Sequence, residues 1–265
     1  MLARVVYPLH GYGGIERHVF HLSTHLARLG VEIELWVQEV PAGRTADLGP
    51  GIRLHTLRYD RTSPLLRPNS ILGRQINYPL YSRALGREAA NWVRQGGVEL
   101  VHAQGLAALG YGWLRRHDPS LRVAVPMIMN PHGMEEYKTP SWAKRLAYAP
   151  FRAMYSFGAR SADRVIATDA CTRDEVPRYL GVDPARVVVL PSAIDSAECL
   201  APLDVRRRQA LGERLGLVGA PLVLLSVSRL ERNKGFHLLA EPLAGLRERL
   251  PAGWRWQGVG EGKER

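Results

Sequence analysis

The sequence predicts an α/β protein, a parallel sheet with helices on both faces. Three observations carry this expectation. Short apolar runs alternate with longer amphipathic ones along most of the 265 residues. Strands that alternate with helices, rather than pairing as hairpins, build parallel sheets covered on both sides. Hydrophobic residues make up 46% and aromatics 8% of the chain, which is enough for a core and unlike a disordered segment. Ile15, Val19, Leu22, Leu26 and Leu29 keep one helical stripe, and Gly30 follows as a stop.

In chain order, the apolar segments Ala3–Tyr7, Glu32–Val37, Ile52–Leu57, Val98–His102, Arg122–Met127, Arg164–Thr168 and Val187–Leu190 are expected as strands. The amphipathic segments Ile15–Leu29, Tyr78–Gln95, Leu106–Arg116, Trp142–Ala159 and Thr172–Tyr179 are expected as helices. Thr172 with Glu175 reads as a capping box that opens the last of these. Arg58–Asn77 is rich in Pro and Arg, lacks periodicity and reads as a long loop. Ser192–Leu203 reads as a linker. A second α/β unit follows: helix Val205–Leu215, strand Leu222–Val227, helix Gly235–Leu250 with a kink at Pro242, and strand Trp254–Val259. The expected domains are therefore residues 1–195 and 196–265. Two strands make a poor independent sheet. A protein with two such domains needs on the order of 350 residues. The chain is accordingly expected to be a fragment or truncated product that lacks the end of its second domain.

The net charge of +11 suits a polyanion, an anionic membrane face or phosphorylated substrates. Nucleic acid is not expected as a partner, because no base-reading element stands out. Cys171 and Cys199 form neither metal-type spacing nor a disulfide framework, which points to a reducing, cytoplasmic setting. No apolar run reaches the roughly 18 to 20 residues that span a bilayer. Lys138–Arg160 interleaves cations with Trp142, Leu146, Phe151 and Tyr155. It reads either as an interfacial helix at the inner membrane face or as a scaffold helix with solvated Arg.

Four constellations could carry chemistry. In LVLLSVSRLERNKG an apolar strand delivers Arg229 and Lys234 to its carboxyl end, before a helix. Open α/β sheets bind ligands there, and a fork plus a point charge suits a diphosphate. Two solvated loop cations are the equal alternative. Gly11, Gly13 and Gly14 lie between the first strand and first helix, with Glu16 just after them. Glycines at a helix N-terminus allow close approach of an anion, and the spacing is not G-x-G-x-x-G. A flexible turn is the alternative. His132, in Asn130-Pro-His132-Gly133, and His102 at a strand end face the same sheet edge. A surface role is the alternative for each. His18, His21 and His25 have ligand spacing, but no carboxylate or Cys joins them, which favours packing over metal. No D-x-D, G-x-x-x-x-G-K-S/T or G-x-S-x-G occurs, so a carboxylate-bound metal, a P-loop and a serine elbow are not indicated.

Six segments in order resemble the family-4 retaining glycosyltransferases of GT-B fold: GGIERHVFHLSTHLARLGVEIELW, VELVHAQG, PHGMEEYK, SADRVIATDACTRDEVPRYLGVDPARVVVLPSAID, SRLERNKGFHLL and GVGEG. The resemblance covers nearly the whole chain. It implies two Rossmann-like domains, an acceptor-side one over residues 1–195 and a partial donor-side one over residues 196–265. It implies sugar transfer from a UDP- or GDP-type nucleotide sugar to a sugar, lipid-linked or other small acceptor, with retention and without metal or other cofactor. By resemblance, Arg229 and Lys234 neutralise the donor diphosphate, Gly13 and Gly14 approach the phosphates, and His132 is the catalytic contact to the transferred sugar. Glu16 and His102 are expected at the same cleft. Ser192-Ala193 stands where the family usually has Asn-Gly, and Asp169 where it often has Ser. The family's two-glutamate motif is expected beyond Arg265. The competing reading is a Rossmann remnant that acts as a non-catalytic binding module.

Overall fold

Why the sheet is buried on both faces is visible in its second strand position. In β1 (Ile33–Gln38), Leu35 and Val37 enter one hydrophobic cluster while Trp36 enters the other. Alternate side chains of one strand thus feed two cores, as a doubly covered sheet requires. The computed structural model describes residues 1–59 and 70–262.

The elements run α1 (Gly14–Arg28), β1, β2 (Ile52–Leu57), α2 (Ile71–Arg94), β3 (Val101–Gln104), α3 (Ala108–His117), α4 (Pro119–Ala124) and β4 (Met127–Asn130). Then come α5 (Glu135–Lys138), α6 (Trp142–Ala147), α7 (Ala149–Ser161), β5 (Arg164–Ala167), α8 (Ala170–Leu180) and β6 (Val187–Val189). The remainder is α9 (Ser196–Leu200), α10 (Val205–Arg214), β7 (Val223–Val227), α11 (Phe236–Gly245) and β8 (Arg255–Val259). The chain divides into two units, Met1–Asp195 and Ser196–Arg265. In the first, β1 pairs with β2, and β3, β4, β5 and β6 pair in that order, all parallel. Leu2 bridges Trp36 on one side and Ala103 on the other, and so joins the two ladders. In the second, β7 and β8 pair in parallel. Among the described residues no helix is long and apolar enough to cross a membrane.

Several local expectations are corrected. The expected strand Ala3–Tyr7 shrinks to the bridge at Leu2 and hydrogen bonds out to Arg4. Beyond it the donors leave the sheet: Val6 N–H goes to His10 Nδ1 (3.2 Å) and Tyr7 N–H to the Glu16 carbonyl (3.1 Å). The expected strand Arg122–Met127 is replaced by α4 and a strand that begins only at Met127. Asp118 caps α4 by accepting from Ser120 N–H, and Pro119 suits its first turn. Likewise β3 starts at Val101 and runs to Gln104, later than expected. Of the loop expected at Arg58–Asn77, residues 60–69 lie outside the described residues, and Ile71–Asn77 is helical. There Ser70 accepts from Gly73 N–H and starts α2, which carries Pro79 inside it. The capping box at Thr172 is not the cap of α8: Asp169 accepts from Thr172 N–H at 2.7 Å and opens the helix two residues earlier. The helix expected over Trp142–Ala159 is two helices, α6 and α7. The expected linker contains α9, and α11 keeps Pro242 but ends at Gly245.

Candidate functional site

Parallel pairing aligns Gln104, the last residue of β3, with Asn130, the last residue of β4. Both amide side chains are buried, at 2% and 1% exposure. A buried amide needs partners, and here the partners are imidazoles. Asn130 Oδ1 accepts the His132 N–H (3.0 Å) in a tight Asx turn, and Asn130 Nδ2 reaches His18 Nε2 (3.3 Å). Gln104 Oε1 accepts from His132 Nε2 (2.8 Å), and Gln104 Nε2 reaches His102 Nε2 (3.3 Å). The His18 ring meets the His132 ring edge-on, with centroids 4.9 Å apart and planes at 86°. His18, His102 and His132 thus form one cluster held by two amides at the carboxyl edge of the sheet.

His132 has φ +58°, the one left-handed non-glycine backbone among the described residues. Such a conformation costs of order 1 to 3 kcal/mol and persists where surroundings over-determine it. The surroundings do so: the buried Tyr155 hydroxyl donates to the Pro131 carbonyl, Asn130 holds the His132 amide, and Gln104 holds its ring.

Burial sets the protonation state. It pulls His132 down to about 3, helped by the neighbouring His18 and His102. It pulls His102 down to about 4, helped by the chain's amino terminus and His18. His18 is lowered too, by burial and then by His21. All three rings are neutral at pH 7. With Nε2–H assigned to Gln104, His132 keeps Nδ1 unprotonated, as an acceptor.

The glycine loop enters α1 one turn before His18. Gly13 is the N-cap, and no side chain caps the helix. Glu16 folds its carboxylate back over Gly11 and Gly13, whereas a side chain on Gly14 would meet open space. Glu16 therefore sits against the positive end of α1 and not among the imidazoles.

In the second unit, β7 leads to Arg229, whose Nη1 pairs with Glu231 Oε1 at 3.0 Å, both partly exposed. A 3-10 turn over Arg232–Lys234 follows, and Gly235 at φ +77° opens α11. Lys234 is exposed and has no carboxylate partner among the described residues. The GVGEG turn buttresses Arg229: Ser228 N–H donates to the Val259 carbonyl and Leu230 N–H to the Glu261 carbonyl. A Cβ on Gly260 would overlap the Ser228 carbonyl, and one on Gly262 the Leu230 carbonyl, so only glycine fits beside this strand end.

Residues 12–198 match the glycosyltransferase family 4 model. The chain belongs to glycosyltransferase family 4. It is 31% identical to a D-inositol 3-phosphate glycosyltransferase of Kineococcus radiotolerans, over 92% of this chain and 54% of that protein. It is 27% identical to a glycogen synthase of Mycobacterium tuberculosis, over 92% of this chain and 57% of that protein. The chain thus spans somewhat over half the length of these relatives. Among solved structures it is similar to Anabaena HepE with UDP-glucose, at TM-score 0.61 and 16% identity, over 97% of this chain and 60% of that one. It is also similar to the catalytic domain of Arabidopsis thaliana starch synthase IV with ADP and acarbose, at TM-score 0.64 and 14% identity, over 98% and 69%. At such identities the likeness is one of fold, the α/β Rossmann-like GT-B class.

Within this family-4 chain the structure brings His102 and His132 together. Gly13, Gly14 and Glu16 belong to the α1 N-terminus, and Arg229 and Lys234 to the separate second unit. Three residues of the cluster escape sequence reasoning. His18 reads there as one of a packing stripe with His21 and His25, yet its ring turns to Asn130 and His132 while His25 faces Asp195 at 3.5 Å. No group of three metal-type ligands forms among the described residues. Gln104 and Asn130 carry a faint signal: each is an amide that ends an otherwise apolar run.

Proposed function

We propose that this chain carries the acceptor-side domain and the start of the donor-side domain of a retaining, metal-independent glycosyltransferase. The observation that carries the reading is the neutral His132, strained and desolvated at the sheet's carboxyl edge. In this reading His132 Nδ1 accepts from a hydroxyl of the transferred sugar near the reacting carbon, and His18 and His102 help keep it uncharged. Gly13 and Gly14 admit the donor phosphates or acceptor to the α1 N-terminus. Arg229 and Lys234 take the charge that develops on the leaving diphosphate, the role a metal ion would otherwise fill. The names of the family-4 relatives and the UDP-glucose in the HepE structure support a nucleotide-sugar donor, here of UDP or GDP type. The acceptor is a sugar, a lipid-linked sugar or another small molecule, in glycan or glycolipid synthesis. The setting is cytoplasmic. Trp142, Leu146, Lys144 and Arg145 are exposed on α6 and suit peripheral contact with an anionic inner face, whereas α7 buries Phe151 and Tyr155 as scaffold.

Calorimetry with UDP and GDP, with transfer assayed from the matching nucleotide sugar, tests this. Saturable binding lost in Arg229→Ala/Lys234→Ala, and transfer lowered about 10²–10⁴-fold by His132→Ala, are the expected results. A second reading, a non-catalytic binding module, draws on the Arg229–Glu231 pair, which occupies the cation meant for phosphate. No binding of either nucleotide decides for it. Sedimentation with anionic liposomes tests α6: unchanged sedimentation of Trp142→Ser/Leu146→Ser sinks the membrane contact.

A further inference from the structure

The amino edge of the same sheet, opposite the imidazoles, holds a cavity of about 430 Å³. Its wall includes Arg115, Arg116, Arg122, Arg160, Arg164 and Arg186, and one acid, Asp163. That volume lies in the range of small-molecule sites, roughly 300–1,000 Å³. Topology explains why the arginines meet: α3 and α7 end there, α4 crosses there, and β5 and β6 begin there.

Structure accounts for only part of this charge. Arg115 is 3% exposed and ties the floor together, donating to the carbonyls of Ser161 (3.0 Å), Arg122 (3.1 Å) and Val125 (3.3 Å) and to Asp163 (2.8 Å). Its buried Nε has no partner. Arg186 donates to the Arg160 carbonyl at a helix end, Arg164 to the Asp163 carbonyl, and Arg116 lies over the Phe157 ring. Asp163 is already engaged by Arg115 and the Met127 N–H. None of the other five arginines pairs with a carboxylate among the described residues. Among the described residues the guanidiniums of Arg122 and Arg160 make no ion pair, and that of Arg160 lies beside Gly181. Like charges gathered in a concavity repel one another and raise its positive potential. Guanidinium forks match phosphate oxygens in pairs, and the surplus of cations calls for several negative charges.

We propose that this arginine-lined cavity binds a multiply charged phosphorylated small molecule, on the sheet edge opposite the imidazole cluster. This inference is independent of the sugar-transfer reading.

Calorimetric titration of the full chain with inorganic tripolyphosphate, at about 0.15 M salt so that diffuse attraction is screened, tests it. In a chain that carries Arg229→Gln/Lys234→Gln, and so lacks the cations assigned to the donor diphosphate, saturable binding at one site is expected, weakened roughly tenfold or more when Arg122→Gln/Arg160→Gln is added. Both side chains are exposed, so the fold is retained, and an unchanged melting temperature verifies it. Equal binding after Arg122→Gln/Arg160→Gln is added, or no saturable binding in the Arg229→Gln/Lys234→Gln chain, overturns the proposal. A parallel titration with phosphatidylcholine vesicles containing phosphatidic acid assigns the source. Vesicle binding sensitive to Arg122 and Arg160 points to a lipid phosphate, and tripolyphosphate binding alone to a soluble one.

Discussion

The two units read alike in sequence and differ in what their strands touch. In β1, β3 and β4, Leu35, Val37, Ala103, Met127 and Met129 have no exposed surface. In β7, Val223, Leu225 and Val227 are 38%, 63% and 69% exposed, and no described residue of Ser196–Gly262 is buried. Both units consist of parallel strands and helices. The difference is the number of neighbours. A six-element sheet offers each inner strand two ladders and two helical layers, whereas a strand pair offers one ladder and open faces. Apolar pattern therefore sets which elements form, and burial depends on how many of them meet. The candidate chemistry divides in the same way: a half-buried imidazole cluster in the first unit, exposed cations in the second.

The largest effect that can break this contrast is core truncation. Leu35→Ala or Met127→Ala should cost about 2–5 kcal/mol, against within about 0.5 kcal/mol for Leu225→Ala, in urea unfolding followed by tryptophan fluorescence. A comparable loss from Leu225→Ala would mean that the second unit has a core of its own. Next comes acid sensitivity. His102 and His132 are held near 4 and 3, below their ordinary 6.5, so the folded chain refuses protons that the unfolded chain takes up. Their contribution is intact above pH 6.5 and declines as pH falls toward those folded values, by up to about 1.4 kcal/mol per pH unit for each ring. His102→Gln/His132→Gln should flatten the acid limb of a plot of urea midpoint against pH. An unaltered limb would show that the rings are solvated. Gly260→Ala should destabilise the Arg229 turn by about 1–3 kcal/mol, because a side chain would overlap the Ser228 carbonyl at φ +152°. Faster hydrogen exchange at the Ser228 and Leu230 amides, with the first unit unaffected, is the signature. The smallest effect is Glu231→Gln, which removes an exposed ion pair worth under about 1 kcal/mol and should leave the melting temperature nearly unchanged.

Local chemistry explains which features were legible beforehand. The α1 stripe, Ile52–Leu57 and Val187–Leu190 survive as elements within a residue or so, because periodicity and flanking turns act over a few residues. Arg122–Met127 failed because Asp118 and Pro119 start a helix there, and Arg115, distant from its Asp163 partner in sequence, secures its end. His132 and His102 stood out as imidazoles at strand ends. Asn130 and Gln104 did not, since an amide shows its worth only once its register partner is known.

By itself the amino-acid order determined the parallel α/β class, the glycine loop before α1, the strand that presents Arg229, and membership of a recognisable glycosyltransferase pattern. These follow from side-chain period and from backbone preferences of single residues. Tertiary structure alone decided that His18 leaves its stripe for His132, that burial discharges three imidazoles, and that six arginines converge on one cavity. Each of those depends on groups far apart in the chain, and desolvation and charge act through space.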